Sequence, residues 1–143
     1  MATLDLEALA KKSQRKVETV AQELVNDLAE AVIIGTINNR PAGYPGTPVK
    51  TGNARGSWYA QFGGAGGGPS GIEDKEGSIT LAKISVDVAQ LKVGDMISVL
   101  NGAKYIRALE EGNSKQAPQG FLRIVLNDIS RIADGTAARI RPQ

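Results

Sequence analysis

The chain contains no cysteine and no histidine. That removes thiol catalysis, disulfides, cysteine-bearing zinc sites and every triad or metal site that depends on imidazole. An oxygen-only calcium or magnesium site needs a closely spaced run of Asp, Asn and Glu, and no segment resembles such a calcium loop. Large aromatics are scarce: one Trp, three Tyr and two Phe. Half of them fall in Trp58–Phe62. Long apolar runs are lacking too. The longest strongly apolar one, Ala31–Ile34, is far short of a membrane span, so no membrane association is expected. The start, Met-Ala-Thr-Leu-Asp, has no basic segment leading into an apolar block, and no secretory signal is expected.

Charge of one sign is also missing. Seventeen basic and 15 acidic residues leave a formal net charge of +2. A dedicated nucleic-acid binder concentrates positive charge on one face or stripe. The tight basic run here is Lys11, Lys12, Arg15 and Lys16, with Arg139 and Arg141 near the end. A solvated helix face explains the run most simply. Weak DNA contact is the alternative, because a protein lining a DNA passage needs only mild charge. At 143 residues the chain fits one domain that needs no staple.

What is present reads as mixed α and β. Leu6, Leu9, Val17, Val20, Leu24, Leu28 and Val32 recur at helical spacing, with Thr3 or Asp5 as start caps and Gly35 as a stop. One helix of about 30 residues would run about 45 Å. That exceeds what a small core needs, so one end is expected to project or to pack on a neighbouring subunit; a break near Ser13 is the alternative. Residues 38–48, with three prolines and two glycines, read as an ordered loop. A short helix is expected within 50–56, with Thr51 as a cap, and a strand over 57–62. In that strand Trp58, Ala60 and Phe62 share one face. Trp58 suits the core, with an interface as the alternative. Residues 63–71 form a glycine-rich run, expected to be flexible.

From Ser78, a candidate cap, the pattern Leu81, Ile84, Val88, Leu91 predicts a second amphipathic helix, ended by Gly94. A strand over 96–100 follows, and Asn101-Gly102 is a turn signal. One or two helical turns are expected over 105–110. A last helix should begin at Pro118, with Phe121, Leu122, Val125, Ile129 and Ile132 on its apolar side. The predicted class is α+β, a long N-terminal helix and further amphipathic helices on a small, mostly antiparallel sheet.

No constellation argues for catalysis, a cofactor or a metal. The glycine run does not lead directly into Lys and Ser or Thr, because Lys75 comes too late for a phosphate loop. Gly112-Asn113-Ser114-Lys115 lacks the upstream glycine. Glu110 and Glu111 are adjacent and so face different sides of a helix. One of them is expected to turn inward onto backbone amides of the Gly112–Ser114 turn. Ser57, Ser114 and Lys115 have no orienting partner. Arg55 and Arg107 are candidates for bidentate ion pairing.

Two segments carry a family resemblance. Thr47-Pro48-Val49-Lys50-Thr51-Gly52-Asn53-Ala54-Arg55-Gly56-Ser57-Trp58 resembles the "PVxTGxLRxSW" opening of small head–tail connector, neck and tail-completion proteins of tailed bacteriophages. Tyr105–Gly112 followed by Ser114–Gly120 is similar to their "YAxxLExGxSxQAPxG" segment. The likeness spans most of residues 5–133. Ala54 stands where Leu is usual, Glu111 where Tyr or another residue is usual, and the glycine run is unusually long.

The resemblance implies a single connector-type domain over 1–143, with a flexible loop at 63–71 and a frayed tail at 135–143. It implies a non-enzymatic virion protein at the head–tail junction, assembled in the host cytoplasm as a six- or twelve-fold ring of its own copies. Portal- or adaptor-side and tail-side proteins would be its neighbours, and DNA would pass through the channel. A tail terminator or minor tail protein is the alternative, and a non-specific DNA-binding module a more distant one. Interface residues expected on this basis are Thr51, Arg55, Trp58, Arg107, Glu110, Glu111, Ser114, Lys115 and Gln116. Weak DNA contact would fall to Lys11, Lys12, Arg15 and Lys16.

Overall fold

The periodic apolar stripe at the start of the chain forms a single helix. In the computed structural model, which describes residues 6–63 and 71–140, α1 runs unbroken over Leu6–Ile34. The expected caps Thr3 and Asp5 lie outside the described residues, as does most of the glycine run. Packing along α1 is uneven. Residues 10–17 are exposed, whereas Asp27, Ala29 and Ala31–Ile33 include the most deeply buried positions of the helix. Glu18 accepts from the Val93 N–H (3.2 Å) and Gln22 donates to the Leu91 carbonyl (2.9 Å), tying the middle of α1 to the body. The exposure of residues 10–17 leaves this stretch open to solvent or to a neighbouring subunit. At the other end the Gly35 N–H returns to the Ala31 carbonyl (3.0 Å) and closes the helix.

The remaining elements are β1 (Thr36–Ile37), β2 (Arg40–Pro41), α2 (Asn53–Gly56), β3 (Trp58–Phe62), α3 (Ser78–Val88), β4 (Ile97–Asn101), α4 (Ile106–Glu110), α5 (Leu122–Asn127) and α6 (Ile129–Ile140). The class is α+β, with the long helix and its companions packed on small antiparallel sheets. β3 pairs with β4 in the register Trp58↔Asn101 to Phe62↔Ile97. The face carrying Ala60, Ile97 and Val99 turns to the core, where Trp58 meets Phe121 edge-on at 6.5 Å. Ile33, Ile84, Val88 and Val125 complete this cluster.

Four expectations are corrected. Residues 38–48 are not all loop: Thr36–Ile37 and Arg40–Pro41 form a hairpin, because Asn38 and Asn39 adopt φ of 53° and 63°, the two left-handed residues a tight primed turn requires. Ser78 is not the cap of α3. Asp74 caps it from outside, accepting from the Gly77 N–H (3.1 Å) and the Thr80 N–H (2.8 Å). The last helix does not begin at Pro118 and is not single; it starts at Leu122 and breaks at Asp128 into α5 and α6.

The tail is not frayed over 135–140. α6 continues to Ile140, because Thr136 donates to the buried Asp27 carboxylate (2.6 Å) and Arg139 pairs with it at 2.9 Å. Residues 141–143 lie outside the described set.

The glycine run has a fixed base. Gly56 and Gly71 cross so closely that a side chain at Gly71 would come within 2.9 Å of the Ser57 Cα, and one at Gly56 within 2.7 Å of the Ile72 carbonyl carbon. The Gly71 N–H donates to the Ser57 hydroxyl across this crossing (3.2 Å).

The hairpin loop is tied to the α5–α6 break by a polar triad. The Tyr44 hydroxyl donates to Asp128 (2.8 Å), and Arg131 donates to both (2.8 Å each). The Tyr44 hydrogen bond, then that of Arg131, holds the Asp128 carboxyl below its ordinary value, while burial and then the Asp128 bond raise the Tyr44 phenol. The contribution of Asp128 to stability is therefore complete above the ordinary aspartate value, about 3.9, and is lost as the pH falls through its lower folded value. An NMR titration of the Asp128 carboxyl should give a midpoint below that of an unstructured aspartate, and Tyr44→Phe should raise it. A midpoint at the unstructured value would show that the triad does not form in solution.

Candidate interaction surface

The two motif segments are about 60 residues apart in sequence, and the fold joins them side by side. Gln116 makes the seam: its amide donates to the Val49 carbonyl (2.7 Å) and accepts from the Val49 N–H (2.8 Å), as a neighbouring strand would. The Tyr105 hydroxyl donates to the Asn53 side chain (3.1 Å), and the Asn101 amide donates to the Ala54 carbonyl (2.8 Å). Between the segments lies an open cleft of about 760 Å³, lined among others by Lys50, Thr51, Glu73, Tyr105, Ser114 and Gln116. Its charged groups carry both signs, its walls mix polar and apolar atoms, and its floor is held by backbone-directed bonds. Such a surface suits contact with another polypeptide better than bond-making chemistry.

Beneath the cleft the first motif is scaffold. Thr47 is wholly buried. Its N–H donates to the Ile33 carbonyl (3.0 Å), its hydroxyl donates to the Val32 carbonyl (2.9 Å), and that hydroxyl accepts from the Trp58 indole N–H (3.0 Å). Arg55 does not form a bidentate ion pair. Its guanidinium donates to the Thr47 carbonyl (2.7 Å) and the Lys75 carbonyl (2.9 Å), strapping two loops together. Burial lowers its pKa from the ordinary value, and the charge of Asp74 partly offsets this.

The second motif is divided in the same way. Glu110 turns inward, as one of the acidic pair was expected to do, but its amides are not those of the Gly112–Ser114 turn. It accepts from the N–H groups of Phe121 (2.9 Å) and Leu122 (3.0 Å), where α5 begins. A carboxylate there satisfies orphan amides and meets the positive end of the helix. Gly120, at φ 87°, is required because a side chain would strike the Glu110 carboxylate. Glu111 is exposed.

Of the expected interface residues, Thr51, Ser114 and Gln116 line the cleft, and Arg107, Glu111 and Lys115 are exposed. Arg55 and Glu110 are committed to internal bonds. Trp58 lies in the core with 8% exposure and presents almost no surface to a partner. Lys11, Lys12, Arg15 and Lys16 sit on the exposed part of α1, away from the cleft lining. Sequence reasoning missed Thr47, Asp74, Glu73 as a cleft residue, and the Asp27–Arg139 pair. Asp74 alone had a local signal, an acid just ahead of a periodic helix.

Among the described residues no helix is long and apolar enough to cross a membrane, and no group of three or more acidic side chains is placed to hold a metal ion. Comparison with family models, with curated proteins and with solved structures yields no match.

The two adjacent acids should separate cleanly in stability measurements. Glu110→Ala leaves amides at the start of α5 without their acceptor and should cost about 1–3 kcal/mol. Glu111→Ala should stay within about 0.5 kcal/mol. Urea unfolding of both variants checks this, and equal midpoints would contradict the capping role.

Proposed function

We propose that this protein is a non-enzymatic structural component of a tailed-phage virion. It would form a ring at the head–tail junction, in the neck or at tail completion, and join neighbouring rings around a DNA channel. The observation that supports the reading is the seam at Gln116 and Val49, which merges both family-like segments into one surface around a cleft. Copies of the chain, portal- or adaptor-side proteins and tail-side proteins are the proposed partners, with assembly in the host cytoplasm. A ring repeats one heterologous contact around a closed rotation. A chain with a projecting helix at one place and a walled cleft at another has the two unlike surfaces such a contact uses. Tail terminator or minor tail protein is the nearest alternative, and imaging of intact particles separates them: density only at the distal tail would remove the neck assignment.

Within the surface, Arg107 and Lys115 are the exposed cations of the second motif. Arg107→Glu and Lys115→Glu should leave the melting temperature unchanged and block incorporation into particles. Normal incorporation of both would take these residues out of the interface. Mass measurement of the complex extracted from particles should give six or twelve copies, and one or two copies would refute the ring.

A second reading, DNA contact, is favoured by the exposure of Lys11, Lys12, Arg15 and Lys16. At helical spacing these four fall within one broad face of α1. Titration of labelled duplex should show weak attraction at low salt that is erased at moderate salt, because few phosphates are neutralised. Tight, sequence-dependent binding that survives moderate salt would make the protein a DNA-binding module instead.

A further inference from the structure

The pairing register of β3 and β4 determines where the backbone of β4 points. The flanking bonds run from the Gly63 N–H to the Met96 carbonyl (2.9 Å) and from the Gly102 N–H to the Ser57 carbonyl (3.0 Å). Hydrogen-bonded pairs alternate along an antiparallel ladder, so between these two they fall at Tyr59↔Leu100 and Gln61↔Ser98. Ser98 and Leu100 direct their N–H and C=O groups to β3. Ile97 and Val99 direct theirs away from it, and among the described residues no hydrogen bond reaches them. Every extensive contact of β4 is with β3, whereas β3 also carries α3.

The side chains of the same two residues line an apolar groove of about 370 Å³ together with Val25, Leu28, Leu122 and Leu126. At its margin the Leu126 side chain is open to solvent, at 48% exposure. The groove shares no lining residue with the cleft between the motif segments.

An edge with unpaired backbone groups is a template for one more strand. A strand bonded to Ile97 and Val99 would set every second side chain on the groove side, because side chains alternate. We propose that the outer edge of β4 takes up an extended segment of another polypeptide with aliphatic residues at alternating positions. The row of open N–H and C=O groups selects a strand over a helix, whose backbone is already satisfied. The predominantly apolar lining selects aliphatic side chains, since a charge placed there would be desolvated without a partner. This inference does not depend on the connector reading, since of the motif residues only the buried Trp58 reaches the groove and the argument makes no use of it.

The full chain, isotope-labelled, can be titrated with a blocked seven-residue peptide carrying valine at its second, fourth and sixth positions and threonine or lysine between. A peptide of the same composition with its valines grouped is the control. The alternating peptide should slow hydrogen exchange at the Ile97 and Val99 amides and bind at least about ten-fold more tightly than the control. Leu126→Asp should reduce that binding at least about ten-fold with an unchanged melting temperature. Val99→Pro removes an outward N–H, not a ladder bond, together with a side chain of the groove wall, and should not bind; if it fails to fold, Leu126→Asp still decides. Equal binding of both peptides, or protection confined to residues of the motif cleft, would overturn the proposal. So would protection of Ile97 and Val99 that rises with protein concentration alone, which would make a second copy the occupant.

Discussion

The structure hangs on one buried hydroxyl. A helix ends with carbonyls that have no partner within the helix, and the end of α1 lies inside the core, where an unpaired carbonyl costs most. Gly35 satisfies the Ala31 carbonyl, and Thr47 satisfies the next two with its N–H and hydroxyl. That hydroxyl then accepts the Trp58 indole N–H, and the Thr47 carbonyl takes Arg55. The end of the longest helix, the only tryptophan and the strap across the loops are thus fixed relative to one another through a single residue. Valine in its place would fill nearly the same volume and leave the Val32 carbonyl and the indole unpaired. The position needs a side chain of this shape that both gives and receives a hydrogen bond.

The motif segments therefore serve two purposes, divided residue by residue. In the first, Thr47, Arg55, Gly56 and Trp58 build the interior, while Lys50 and Thr51 face the cleft. In the second, Glu110 and Gly120 start a helix, while Arg107, Glu111 and Lys115 are open to solvent. A pattern of letters does not distinguish these groups, since residues that build the surface and residues that belong to it alternate within one short segment.

Local signals in the sequence were read well and distant ones poorly. The stripe of α1, the helix from Ser78, the two strands and the short turns at 53–56 and 106–110 follow from periodicity and punctuation over a few residues. The Asn-Asn hairpin was local as well, but the surrounding prolines masked it. The inward turn of Glu110 was expected, yet its acceptor role lies about ten residues further on, where only the folded path of the chain brings the amides. Thr47 opens the first motif, but nothing in its neighbourhood announces carbonyls 14 and 15 positions earlier. The cleft could not be read at all, as it exists only once Gln116 meets Val49.

The lock between α1 and α6 has a consequence for how the chain comes to be. Asp27 is buried at 4% exposure, and both of its partners, Thr136 and Arg139, are more than 100 positions later. During synthesis at about 5–20 residues per second, the carboxylate waits several seconds for the groups that neutralise it. A buried charge left without its partner is strongly destabilising, so α1 reaches its final packing against the core only once α6 is in place.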